Sequence, residues 1–249
     1  MNRLGREDKE EGAFSQKTVP AVNTVGQPIG EALPNWTPRP FPPGTPLEGR
    51  YCKLERLDPR HADQLYRAAS EDDASAFTYL FYGPFASRAE FDEWLRGACA
   101  SHDPLYYAIV ESGGAVVGFA SYLRIEPKIG VIEVGNVYFS HHLRQTPAAT
   151  EAMYLMMRHV FVDLGYRRYE WKCDSRNAPS RKAADRLGFV FEGIFRQATI
   201  YKGRSRDTAW FSIIDKEWPK VGSALEQWLD PANFNAGRQR KSLRALRGP

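Results

Sequence analysis

Residues 144–193 read RQTPAATEAMYLMMRHVFVDLGYRRYEWKCDSRNAPSRKAADRLGFVFEG, and this stretch decides the fold. From Pro147 to about Leu164 the residues Ala152, Leu155, Met156, His159 and Val160 recur at helical spacing, and Gly165 stops the run. Tyr169–Cys173 then reads as a short strand, Ala178–Leu187 as a second helix, and Gly188 as its stop. Thr146 stands where an N-cap belongs, with Pro147 at the first helical position, where a missing N–H costs nothing. Asn177 is placed to cap the second helix in the same way.

Upstream, Tyr51–Leu57 alternates as a strand, Asp58-Pro59 opens a helix to about Ala69, and Ser87 with Glu90 opens another through a capping-box pattern. Leu105–Glu111, a Gly113-Gly114 turn and Ala115–Glu126 form a hairpin, and Gly130–Ser140 adds a third consecutive strand. Downstream, Phe189–Tyr201 and Thr208–Ile214 close a hairpin over Lys202-Gly203-Arg204, and an amphipathic segment follows at Glu217–Leu229. A meander that passes into a strand–helix–strand crossover predicts an α/β fold. Its sheet is mixed and mostly antiparallel, with flanking helices.

Charge is unevenly distributed. The chain has 34 Lys and Arg against 30 Asp and Glu, but Arg238, Arg240, Lys241, Arg244 and Arg247 lie among its last fourteen residues, which carry no acid. The rest is near neutral, which argues against a globally basic nucleic-acid-binding domain. Eight of the 17 prolines fall between Pro20 and Pro46. Residues 1–46 therefore read as an extended, Pro-rich arm, 47–230 as the folded domain, and 231–249 as a disordered basic tail. Cys52, Cys99 and Cys173 are widely spaced, without a C-x-x-C pair, so neither a disulfide framework nor a zinc site is expected. With no signal-peptide pattern and no run of 18 apolar residues, the expectation is a cytoplasmic protein with no membrane partner.

Several strings in order resemble the GNAT acyltransferase superfamily, and within it the RimJ/RimL-type protein N-acetyltransferases. They are Thr150-Glu151-Ala152, the run Gly165–Cys173, Asn177-Ala178-Pro179-Ser180-Arg181, Arg186-Leu187-Gly188-Phe189 and Glu192-Gly193. The resemblance covers roughly Pro46 to Lys220 and implies acetyl-CoA as co-substrate, with no metal. Members of the superfamily bind the pyrophosphate on the loop that opens the long helix, in a pattern of Arg or Gln, two residues, Gly, one residue, then Gly or Ala. Here Arg144-Gln145-Thr146-Pro147-Ala148-Ala149 places Pro where Gly is usual. The N–H groups of Ala148, Ala149 and Thr150 remain candidates for an anion at a helix N-terminus. By the same resemblance Asn177 holds the pantetheine arm and Ser180 lies near the sulfur, where it can hydrogen-bond the departing thiolate. Arg144 or Arg181 supplies local positive charge.

The implied chemistry needs a neutral amine and a polarised thioester carbonyl. An α-amine with pKa near 7.7–8.0 is about 10% neutral at pH 7, whereas a lysine is below about 0.1%, so an N-terminal amine asks less of a base. Val137, Tyr138 and Phe139 lie on the strand whose backbone can polarise the carbonyl, and Gly135 is a candidate bulge. Glu133, in an otherwise apolar strand, is the candidate base: it faces either the cleft or water at an edge. Asn136 is a weaker polar contact, and His141-His142 read as surface loop residues. The aromatic run Phe77–Phe85 offers Tyr79, Phe81 and Tyr82 to the acceptor wall, and Asp207 lies where it can meet an amine or form a turn salt bridge. The leading expectation is acetyl transfer to a primary amine such as a protein N-terminus. Acetylation of a small amine and a non-catalytic CoA-binding module are the alternatives. A ribosome or nucleic-acid contact through the basic tail and a homodimer are further partners to consider.

Overall fold

A computed structural model of the chain describes residues 21–248. The first part of the Pro-rich arm, 1–20, lies outside the described residues. The chain divides into two units, Met1–Thr37 and Pro38–Pro249. In the first, Ala21–Val22 pairs antiparallel with Pro28–Ile29. The Asn23 carboxamide oxygen accepts from Val25 N (3.1 Å) and Gln27 N (2.9 Å), an Asx-type turn that a simply extended arm would not contain. The end of the arm belongs to the second unit: Arg39 N donates to Pro127 O, and the Tyr166 hydroxyl to Pro40 O.

The second unit is built on an eight-stranded sheet. Its strands are β1 (Leu47–Glu48), β2 (Cys52–Arg56), β3 (Leu105–Glu111), β4 (Val116–Glu126), β5 (Val131–Phe139), β6 (Arg168–Asp174), β7 (Val190–Tyr201) and β8 (Arg204–Ile214). They lie in the order β1-β2-β3-β4-β5-β6-β8-β7, and β5–β6 is the parallel pair in an otherwise antiparallel sheet. The helices are α1 (Ala62–Glu71), α2 (Arg88–Ala100), α3 (Pro147–Arg158), α4 (Ala178–Leu187), α5 (Trp218–Leu229) and α6 (Leu243–Arg247). Strand alternation feeds two cores. Tyr107 and Ile109 of β3 join the layer with α3, α4 and α5, while Tyr106, Ala108 and Val110 join Leu65, Phe91 and Leu95 of α1 and α2.

The expected helix ends hold. Thr146 Oγ1 accepts from Ala149 N (3.2 Å), and Asn177 Oδ1 accepts from Ser180 N (3.1 Å). Gly165 and Gly188 take φ of +69° and +104° as stops. Beyond Arg158, α3 passes into a π-helical turn at His159–Asp163. Glu151, 5% exposed, fixes α3 to the sheet: its carboxylate accepts from Arg50 N (2.8 Å), Tyr51 N (2.5 Å) and Cys52 N (2.8 Å).

The basic tail is not disordered. Phe234–Asn235 pairs with Arg238–Gln239, and α6 follows. Asn233 clips this strap, its side chain bonding Trp228 O, Lys241 O and Lys241 N. Leu243 is buried, and Arg247 Nη1 donates to Asp185 O and Arg186 O, capping the C-terminus of α4. An apolar anchor and a cap were hidden among the charges that suggested a solvated tail.

Candidate functional site

The parallel ladder between β5 and β6 ends at Val134↔Trp171. Beyond it lies a cleft of about 1570 Å³, whose walls include Gly135–Phe139 on one side and Lys172–Asp174 on the other. A bulge assists: Ser121 pairs with Gly135 but Phe119 with Tyr138, so two residues of β5, Asn136 and Val137, face one of β4. Asn136 takes φ +50°, one position past the expected bulge at Gly135. Its side chain donates to Ser121 Oγ (3.0 Å), which in turn donates to Gly135 O (3.2 Å).

One end of the cleft is the loop that opens α3. Arg144, Gln145, Thr146, Pro147, Ala149 and Thr150 line it, with Gln145 in the left-handed region at φ +63°. Ala148 does not: it is buried, and its carbonyl accepts from the Cys52 thiol. The Thr146 cap occupies the Ala149 N–H, so an anion here would compete with the helix's own cap. Asp72, at the end of α1 with its side chain 1% exposed, organises this loop. Its carboxylate accepts from Tyr138 OH (2.8 Å), His141 N (3.0 Å) and Arg144 Nη2 (3.0 Å), and contacts His141 Nδ1 (3.1 Å). Burial and this bond push the Tyr138 phenol upward, which keeps it neutral. Its ring stacks on Phe77, so the side chain serves packing. Arg144 Nε also holds Phe139 O (2.8 Å).

Arg181 is not brought to the cleft. Its guanidinium turns to Ser175 O and the Phe191 ring, because α4 presents Lys182, Ala183 and Arg186 inward instead. Arg186 donates to Thr150 Oγ1 (3.1 Å) with its guanidinium 4.7 Å from the Trp228 ring centre. Trp228 Nε1 bonds Gln239 Oε1 (2.7 Å), so the strap walls this end together with Phe234 and Gly237. Sequence reasoning missed these contacts because they join residues far apart in the chain.

Midway along the cleft, Asn177 spends its oxygen on the α4 cap, and Ser180 Oγ accepts from Trp171 Nε1 (2.9 Å). An indole N–H can only donate, so the Ser180 proton is left to point elsewhere. Cys173 lies beside Ser180, its thiol raised chiefly by burial and therefore a poor nucleophile.

Glu133 faces the cleft and is 3% exposed. The β5–β6 register sets it opposite Glu170, and Lys172 bridges the two carboxylates, 2.9 Å from Glu133 and 2.7 Å from Glu170. Arg124 Nη1 also reaches Glu133 (2.6 Å). Burial raises the Glu133 carboxyl above the ordinary range, and the two cations pull it back only in part.

At the far end the aromatic run divides. Phe77, Tyr82 and Phe85 pack with Tyr138, Trp94 and Phe91, although Tyr82 keeps an edge on the cleft. Tyr79 and Phe81 lie on the wall, Tyr79 donating to Arg176 O (3.2 Å). Asp207 is not on it: it is the single β8 residue facing a bulge of β7, Arg196–Ala198, and its carboxylate accepts from Gln197 N (2.7 Å). Its neighbour Arg206 faces the cleft instead, as strand alternation requires of one of the pair. Asp174 also lines the cleft, accepting from Tyr201 OH (3.0 Å).

Residues 52–190 match the acetyltransferase (GNAT) domain model. A crystal structure of a GCN5-related N-acetyltransferase from Brucella melitensis is 51% identical with a TM-score of 0.85, covering 86% of this chain and 99% of that one. An uncharacterized N-acetyltransferase, p20, of Bacillus licheniformis is 30% identical over 110 residues, 44% of this chain; the matched part spans 61% of that protein's length. RimL, a ribosomal L7/L12 α-N-protein acetyltransferase solved with coenzyme A, is 22% identical with a TM-score of 0.59, covering 67% of this chain and 96% of that one, a likeness of fold.

Proposed function

Since the chain belongs to the GNAT acetyltransferase family, we propose that it transfers an acetyl group from acetyl-CoA directly to a primary amine. The observation that carries this reading is the opening between β5 and β6, which leads from the α3 loop past Ser180 to Glu133. The co-substrate supplies an activated thioester; the chain must hold it, remove a proton from the amine and stabilise the leaving sulfur. The α3 loop and Arg186 suit the pyrophosphate, with Gln145 beside them and the Ala149 N–H available once it is released from the Thr146 cap. The β5 backbone at Val137–Phe139 suits the pantetheine and the thioester carbonyl. Ser180 donates a hydrogen bond to the sulfur, and Glu133 takes the amine's proton, directly or through a water.

Among acceptors, a protein N-terminal amine of the RimJ/RimL kind is favoured by its larger neutral fraction. Arg206 favours a second reading, a small amine that carries an anion. A non-catalytic CoA-binding module remains the competing class, motivated by Pro147. Amine-dependent thiol release from acetyl-CoA tests the proposal: turnover with at least one amine is expected, and CoA binding without turnover on any amine would establish the module instead.

A further inference from the structure

Arg206 is 8% exposed, and its Nε is buried without a hydrogen-bond partner. Among the described residues no carboxylate or carbonyl pairs with its guanidinium. Two aromatic rings flank it, Phe81 at 5.5 Å and Tyr201 at 5.8 Å from ring centre to Cζ. Cation–π contacts offset only part of the cost of taking a guanidinium out of water, and a permanently charged group cannot escape that cost by losing its proton. Three other cleft cations have acidic partners, and Arg186 has Thr150 Oγ1 as an acceptor. Arg124 and Lys172 are neutralised by Glu133 and Glu170, and Arg144 by Asp72. Asp174, the nearby acid on the wall, spends its oxygens on Tyr201 OH and Arg176 N.

From this we infer that the amine acceptor carries an anionic group, a carboxylate in the simplest case, which docks on Arg206 between Phe81 and Tyr201. The inference rests on the acetyl-transfer reading and adds the acceptor's chemistry. The planar guanidinium presents parallel donors that match a carboxylate. Phe81 comes from the segment between α1 and α2, and Tyr201 from the β7–β8 hairpin. The anion would therefore be gripped where two walls meet, its amine directed back toward Glu133. A free amino acid and a peptide with an acidic residue next to its N-terminus share this chemistry.

The test compares matched acceptors with acetyl-CoA: alanine against its α-amide, and C-terminally amidated Ala-Asp peptides against amidated Ala-Asn peptides. Wild-type enzyme should favour the anionic member of at least one pair by roughly ten-fold or more in kcat/KM, the worth of a charge-assisted pair of hydrogen bonds. The pair that discriminates names the source of the anion. Arg206→Gln should abolish the preference, mainly by raising KM for the anionic acceptor, and Arg206→Lys should restore part of it. Equal rates for every pair in wild type, or an equal loss for both members in Arg206→Gln, would overturn the inference. Should no amine turn over, the acetyl-transfer reading alone fails. Equilibrium binding of the same pairs to wild type and Arg206→Gln then decides the anion site: a preference lost in the variant supports it, and none in wild type overturns it.

Discussion

Glu133 and Glu170 face each other across the parallel ladder, and two adjacent carboxylates stay ionised together only with a cation between them. Lys172 fills that position, its ammonium 3.7 Å from the Trp210 ring centre. Burial still leaves the Glu133 carboxyl above the ordinary range. A base acts in its ionised form, so kcat/KM should rise with pH through an ionisation above that range. Glu133→Gln should lower kcat about 10²-fold and remove this limb; unchanged activity would take Glu133 out of the mechanism. Lys172→Gln should move the limb to higher pH, because the bridging charge is gone. A limb that stays in place would show that Glu133 does not report on it.

At the scale of elements, α3 carries two separate devices. Its second turn is bolted to β2 by Glu151, which answers three backbone N–H groups at once. Glu151→Ala leaves those donors buried without a partner and should cost about 3 kcal/mol or more in denaturant unfolding; a loss under about 1 kcal/mol would show that water replaces the carboxylate. Its first turn bears Thr146 and Pro147. Pro147→Gly adds a backbone N–H at the start of α3 and should tighten CoA binding several-fold in calorimetry while lowering Tm. Unchanged affinity would mean that the first-turn amide makes no contact with the cofactor. Both devices involve residues visible in the sequence, yet only one was readable. Thr146, Pro147, Asn177, Gly165 and Gly188 act on their own helices, so their spacing alone announces them. Glu151 acts across about a hundred residues, and nothing local distinguishes it from a solvated helical glutamate. Arg206 and Asp207 show the intermediate case: alternation places one of them on the cleft, but which one depends on the face that β8 turns to it beside β6, where Arg206, Thr208 and Trp210 line the cleft.

For the whole molecule, the family domain model ends at residue 190, whereas the folded unit runs on through β8, α5 and the strap. The strap both completes the core with Leu243 and walls the end of the cleft nearest Arg186. Composition hid this, since Arg238, Arg240 and Lys241 project from the strap while Asn233, Leu243 and Arg247 fasten it. Removing residues 231–249 should therefore lower Tm and weaken CoA binding together. A truncated chain with unchanged Tm would mean the strap is not part of the fold. The charge excess at the C-terminus thus belongs to a structural element.

The central claim is direct transfer within the cleft, and a single-turnover experiment followed by protein mass spectrometry tests it most directly. Cys52 and Cys173 are buried with thiols raised by that burial, so neither suits an acyl carrier. Mixing excess enzyme with acetyl-CoA alone should leave the protein mass unchanged and release no thiol; adding the amine should yield one acetylated product per CoA freed. A burst of free CoA without amine, matched by a protein heavier by one acetyl group, would contradict the account.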